Sequence, residues 1–103
     1  VRRLRIDISD QAEDDLLAIK LYIASQGAPE AAERLAEELI ARCEDLCSFP
    51  DRGAPRDDLA RGVRTLVHEK RTLIAYRVRD DVVTVLGFFY RGRDVGMAFR
   101  ERG

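Results

Sequence analysis

The sequence predicts an α+β domain of element order β-α-α-β-β-β, in which an antiparallel sheet carries a two-helix hairpin packed on one face. Three observations lead there. The stretch Val63 to Asp94 divides into three strand-like runs separated by the short polar turns Glu69-Lys70 and Arg79-Asp80-Asp81. Upstream of it, apolar residues recur at helical spacing in two segments split by Gly27 and Pro29. The chain has 103 residues, enough for one core and too few for two, so a single domain over 1–103 is expected.

Taken in order, Leu4, Ile6 and Ile8 alternate with Arg3, Arg5 and Asp7, a first strand with one buried face. Asp10 and Glu13 have the spacing of a capping box, which places the helix start at Asp10. Ala12, Leu16, Ile19 and Ile23 form the inner stripe, with Glu13, Asp14, Asp15 and Lys20 elsewhere on the wheel. Gly27 ends this helix and Pro29 opens a second. The second helix turns Ala32, Leu35, Ala36, Leu39, Ile40, Cys43, Leu46 and Cys47 inward, and the short connection makes the pair an antiparallel hairpin.

Residues 48–62, with Pro50, Gly53 and Pro55, read as a loop in which Asp57-Asp58-Leu59 can form one helical turn. In the meander, Val63, Thr65 and Val67 alternate with Arg64, Leu66 and His68, and Thr72, Ile74, Tyr76 and Val78 alternate with their neighbours. Val82 to Tyr90 is apolar on both faces, which suits an interior strand. The remainder, from Val95, is short and Arg-rich, with Met97 and Phe99 as anchors.

A net charge of −1 conceals an asymmetry, since residues 1–51 carry 12 acidic against 6 basic side chains and residues 52–103 carry 12 basic against 7 acidic. The sheet half therefore presents positive charge toward an acidic partner, beyond whatever the two halves neutralise in each other. No apolar run approaches the roughly 20 residues that span a bilayer, so no membrane partner is expected. The basic N-terminal residues lead into a strand pattern instead of a signal-peptide core, and a cytoplasmic location is the expectation. Cys43 and Cys47 share a helix face at a spacing poorly suited to a disulfide. A single His and no further Cys leave a zinc site short of ligands, so buried, reduced thiols and no metal are expected.

Phe49-Pro50, Gly53, Asp58-Leu59, Gly62-Val63-Arg64, Ile74-Ala75-Tyr76-Arg77-Val78 and Tyr90-Arg91-Gly92-Arg93-Asp94, in this order, resemble the RelE/ParE superfamily of toxin–antitoxin toxins over essentially the whole chain. The resemblance implies the compact fold and one of two activities. RelE-type members are ribosome-dependent ribonucleases that cut messenger RNA, and ParE-type members inhibit DNA gyrase. Both are neutralised by an antitoxin.

Cleavage through a 2′-hydroxyl needs a base, an acid and cations for the charge that develops. Aligned through Tyr76, Arg64 and Arg93 fall where the RelE branch has basic residues, but Leu66 and Leu73 replace a lysine and an arginine. Phe99 falls at or near its tyrosine and has no hydroxyl. Tyr90, where other ribonuclease toxins of this fold place a histidine, has an ordinary pKa of about 10. His68 precedes a turn and reads as a surface histidine. No catalytic residue is therefore assigned. The expectation is a ParE-like toxin that binds gyrase without a cofactor or a small-molecule substrate, with the RelE-type endonuclease as the alternative.

Candidate target-binding residues are Tyr90, Arg91 and Arg93 at the end of the third run, with Arg64 and Arg71 elsewhere on the sheet. Arg77 and Arg79 are instead expected to pair with nearby acidic residues. The resemblance also implies a ParD-like antitoxin as partner, with Leu17, Leu21, Tyr22 and Tyr76 as candidate contacts. Leu17, Leu21 and Tyr22 lie off the inner stripe of the first helix and equally fit the core of a two-sided helix.

Overall fold

The computed structural model describes residues 3–102, so the basic Val1-Arg2 and the final Gly103 lie outside the described residues. The elements are β1 (Arg5–Ile8), α1 (Asp10–Ser25), α2 (Pro29–Asp45), β2 (Ala54–Pro55), β3 (Val63–His68), β4 (Thr72–Arg79), β5 (Val82–Tyr90) and α3 (Val95–Arg102). They form one five-stranded sheet of order β1-β5-β4-β3-β2. The meander β3-β4-β5 is antiparallel, as expected, whereas β1 joins β5 in parallel. The parallel pairing follows from the path of the chain, which crosses the sheet through the whole hairpin before β5 is laid beside β1.

The β4–β5 turn is the two-residue loop Asp80-Asp81 and the β3–β4 turn is the three-residue loop Glu69-Lys70-Arg71, with left-handed backbone at Glu69, Lys70, Asp80 and Asp81. Their twist matches that of the flanking strands, which is why hairpins favour this geometry. β5 is an interior strand apolar on both faces, and Leu86 is an extra residue in it, because Ala75 pairs with Gly87 while Tyr76 pairs with Val85.

The hairpin face of the sheet holds most of the core. Ile74, Val85 and Phe88 pack against Ala12, Ile19, Leu39 and Cys43. Tyr76 and Val83 pack against Leu46 and Cys47. The opposite face is covered by α3, whose Ala98 meets Val63, Ala75 and Phe89. Asp94 starts α3 by accepting the Met97 amide at 3.0 Å through Oδ1. The second, smaller core and the helix that covers it went beyond the sequence reading, which saw only anchors at Met97 and Phe99.

Several local expectations are corrected. Ser9, not Asp10, caps α1, its hydroxyl accepting the Ala12 amide at 3.1 Å. Asp10 already has helical backbone, so it adds favourable charge at the first turn. Ile6 remains exposed because β1 is a short edge strand. Asp15 lies on the buried stripe with Ala12 and Ile19 instead of on the solvent side. The Asp57-Asp58-Leu59 segment forms a turn without becoming a helix, and its loop adds the two-residue strand β2 against β3. Among the described residues no helix is long and apolar enough to cross a membrane.

Candidate functional site

β5 ends at Tyr90, and the chain leaves it through Arg91 and Gly92, both with left-handed backbone. The Arg91 amide donates to the Arg71 carbonyl at 2.7 Å, which brings the start of β4 beside the end of β5. Arg71, Arg91 and Arg93 are exposed around this corner. The Arg91 guanidinium lies 5.9 Å from the Tyr90 ring centre and that of Arg93 lies 5.6 Å from the Phe89 ring, so each charged head is steadied by an aromatic face. Arg93 also approaches Asp15, with Nη1 3.7 Å from Oδ1. Thus four of the five target candidates form one corner of the sheet.

Arg64 stands apart. Its Nη1 donates to the Gly53 carbonyl at 2.6 Å and to the Asp51 carbonyl at 3.2 Å. Those bonds fasten the loop before β3, and the guanidinium is engaged in holding backbone. Arg77 likewise bonds a carbonyl, that of Arg61 at 3.1 Å, in place of the acidic neighbours expected from sequence.

The antitoxin candidates separate in the same way. Leu17, Leu21 and Tyr22 are 53 %, 62 % and 47 % exposed, an apolar strip on the outer side of α1. The two-sided-core alternative does not hold for them. Tyr76 is fully buried, donating to the Pro50 carbonyl at 2.7 Å and accepting the Gly53 amide at 2.8 Å. Burial pushes its phenol pKa upward. It is removed from the candidate contacts, since the alternation of β4 that placed it on a strand also turns it under the hairpin. Tyr22 and Tyr90 meet edge-on with ring centres 6.3 Å apart, so the strip on α1 runs into the arginine corner.

A cleft of about 250 Å³ opens beside this contact, lined by Tyr90 and Arg71 together with Arg34, Glu38, His68 and Glu69. His68 is not the surface histidine expected from sequence. It is 9 % exposed, and its Nε2 lies 3.0 Å from Glu38 Oε1 on α2. It ends β3 in cross-strand register with Thr72, which pairs in turn with Tyr90, so the sheet aims it under the hairpin. No local sequence signal linked residues 38 and 68, because their contact exists only once α2 lies on the sheet.

Asp15 and Arg102 form the other feature missed from sequence. Two bonds of 2.7 and 2.9 Å join Arg102 Nη2 to the carboxylate, and Asp15 Oδ2 also accepts the Phe88 amide at 3.1 Å. A signal was present for Asp15, which sits at i+3 from Ala12 and i−4 from Ile19. An acidic residue on an apolar stripe announces a buried partner.

This fold, an antiparallel meander backed by a helical hairpin, is shared with solved structures of toxin–antitoxin systems. One similar solved structure is described as the chromosomal ParDE TA system from P. aeruginosa, with a TM-score of 0.75 and 23 % identity over 88 % of this chain and 99 % of that one. Another is the toxin–antitoxin complex RelBE2 from Mycobacterium tuberculosis, with a TM-score of 0.66 and 21 % identity over 86 % and 99 %. No curated protein matches the chain. Residues 6–95 match the family described as ParE toxin of type II toxin-antitoxin system, parDE. The chain belongs to the ParE toxin family.

Proposed function

We infer that the protein is a ParE-type toxin that binds DNA gyrase, blocks its cycle without covalent chemistry of its own, and is neutralised by a ParD-like antitoxin. Family membership supports the class. The observation that carries the mode of action is the corner formed by Tyr90, Arg91, Arg93 and Arg71, where exposed guanidinium groups and an aromatic ring converge. Arginine titrates too high to move protons near neutral pH, while its fork and flat face suit a hot spot against carboxylate or phosphate. The antitoxin would lie on Leu17, Leu21 and Tyr22, and the Tyr22–Tyr90 contact makes occupation of that strip an obstruction of the corner. Gyrase acts in the cytoplasm, which is then where this protein works.

Gyrase supercoiling in the presence of purified protein tests this reading. The wild type should inhibit, and Arg91→Ala/Arg93→Ala should not inhibit while retaining the wild-type melting temperature. Undiminished inhibition by the double variant removes the site assignment, and no inhibition by the wild type removes the target.

A ribosome-dependent messenger-RNA endonuclease is the second reading. It draws on the cleft that brings His68 beside Arg71 and Tyr90 and on the likeness to the RelBE2 structure. Primer extension on ribosome-bound transcripts after induction distinguishes the two. Cuts within codons favour the endonuclease, and intact transcripts together with an SOS response favour gyrase.

A further inference from the structure

The Tyr90 cleft holds a set of donors that neither functional reading employs as ligands. Glu38 from α2, His68 from the end of β3 and Glu69 from the β3–β4 turn each offer one ligand atom, all within 4.8 Å of one another. His68 Nε2 stands 3.0 Å from Glu38 Oε1 and 3.9 Å from Glu69 Oε2. Two donors each about 2.1 Å from one ion lie at most about 4.2 Å apart, so both spacings admit a shared metal. Glu69 is exposed on its turn and free to adjust, whereas His68 is held by the strand that carries it. We propose that this cleft binds a divalent transition-metal ion of the Zn²⁺ class through Glu38, His68 and Glu69.

One imidazole nitrogen and two carboxylates match Zn²⁺ and its first-row neighbours, while Mg²⁺ and Ca²⁺ prefer oxygen ligands throughout. Glu69 is exposed and the cleft holds about 250 Å³, which leaves room for water to complete the coordination. Without an ion, the contact between His68 and Glu38 is an ordinary hydrogen bond. Arg34 and Arg71 line the same cleft and already offset the two carboxylates, so an entering cation works against their charge. That competition keeps the affinity short of that of a structural zinc site. The bound ion would fasten α2 to the turn between β3 and β4, beside Arg71 and Tyr90.

The inference stands independently of the target. Isothermal titration of Zn²⁺ into chelator-stripped protein should show one equivalent bound, and Zn²⁺ should raise the melting temperature. Glu69→Gln, a change at an exposed turn, should keep the metal-free melting temperature, weaken binding roughly tenfold or more, and lose the Zn²⁺-dependent rise. His68→Ala should abolish binding. Co²⁺ should give visible d–d bands without a thiolate charge-transfer band, which separates this set from Cys43 and Cys47. Absence of stoichiometric binding, wild-type affinity in both variants, or a thiolate band would each overturn the proposal.

Discussion

Asp15 and Arg102, 87 residues apart in sequence, close the open half of β5 between them. Beyond Val85, where β1 ends, no strand among the described residues pairs with this side of β5. There Asp15 accepts the Phe88 amide and Arg102 Nη1 donates to the Leu86 carbonyl at 3.0 Å, while the two side chains bond each other. Gly87 makes the room, since a Cβ at that position would stand 2.5 Å from Arg102 Nη1. An ion pair thus takes the place of a strand at a bare edge.

Asp15 is 8 % exposed, so its removal leaves a partly buried guanidinium and a buried amide without their acceptor. Asp15→Ala should destabilise the fold by about 3 kcal/mol in urea unfolding. Arg102→Ala should cost less, about 2 kcal/mol, because Arg93 stands close enough to take up part of the carboxylate's charge. The double variant should fall well short of the sum. Gly87→Ala should resemble Arg102→Ala by displacing the guanidinium. Additive losses would show that the two side chains act separately.

Burial, with Cys47 and Glu44 close by, pushes the Cys43 thiol from 9.0 up to about 12. The native thiol is therefore protonated where the unfolded chain has begun to ionise, so the unfolded state binds fewer protons between these values. Stability should be unaffected by this group below about pH 8 and fall as pH rises from 9 toward 12, by at most about 1.4 kcal/mol per pH unit. Cys43→Ala should remove that part of the slope. A thiol-specific reagent near pH 8 should label Cys43 only at the rate of unfolding.

Leu21→Asp places a charge on the exposed strip of α1 without disturbing the core. Its effect on stability should stay within about 0.5 kcal/mol. Affinity for the cognate antitoxin should fall by about 2 kcal/mol or more, read by titration calorimetry. Unchanged affinity in both Leu21→Asp and Leu17→Asp would move the partner off this face.

Tyr76→Phe removes a hydroxyl that serves the Pro50 carbonyl and the Gly53 amide. A loss of about 1–2 kcal/mol is expected, with faster amide exchange in residues 50–55. Antitoxin affinity should not change, in contrast to Leu21→Asp. A selective loss of binding would return Tyr76 to the partner's surface.

The hairpin and meander were legible because their patterns are local: period two in β3 and β4, an apolar run from Val82 to Tyr90, helical spacing through α1 and α2, and turn residues between them. Tyr90, Arg91 and Arg93 stand together in the sequence, but Arg71, expected elsewhere on the sheet, joins them only through the Arg91 amide bond to its carbonyl. What escaped depends on which surfaces meet. Asp15 with Arg102 and Glu38 with His68 are pairs far apart in sequence, and although the apolar stripe marks Asp15 as buried, nothing local names the partner that either pair will bring together. The parallel placement of β1 belongs with them, since four residues cannot announce which edge they will join. α3 has a weak signal of its own, a few apolar residues among arginines, and becomes a helix against the second sheet face.

Because one half of the seal on β5 is residue 15 and the other residue 102, the two can meet only after every element from β1 to α3 has been synthesised. A chain interrupted before α3 would bury most of its oil yet keep a raw flank of amides and carbonyls, an invitation for a neighbouring molecule to zip onto it. The last turn of α3 is therefore what shuts this edge, and loss of Arg102 should leave it open to a neighbouring molecule.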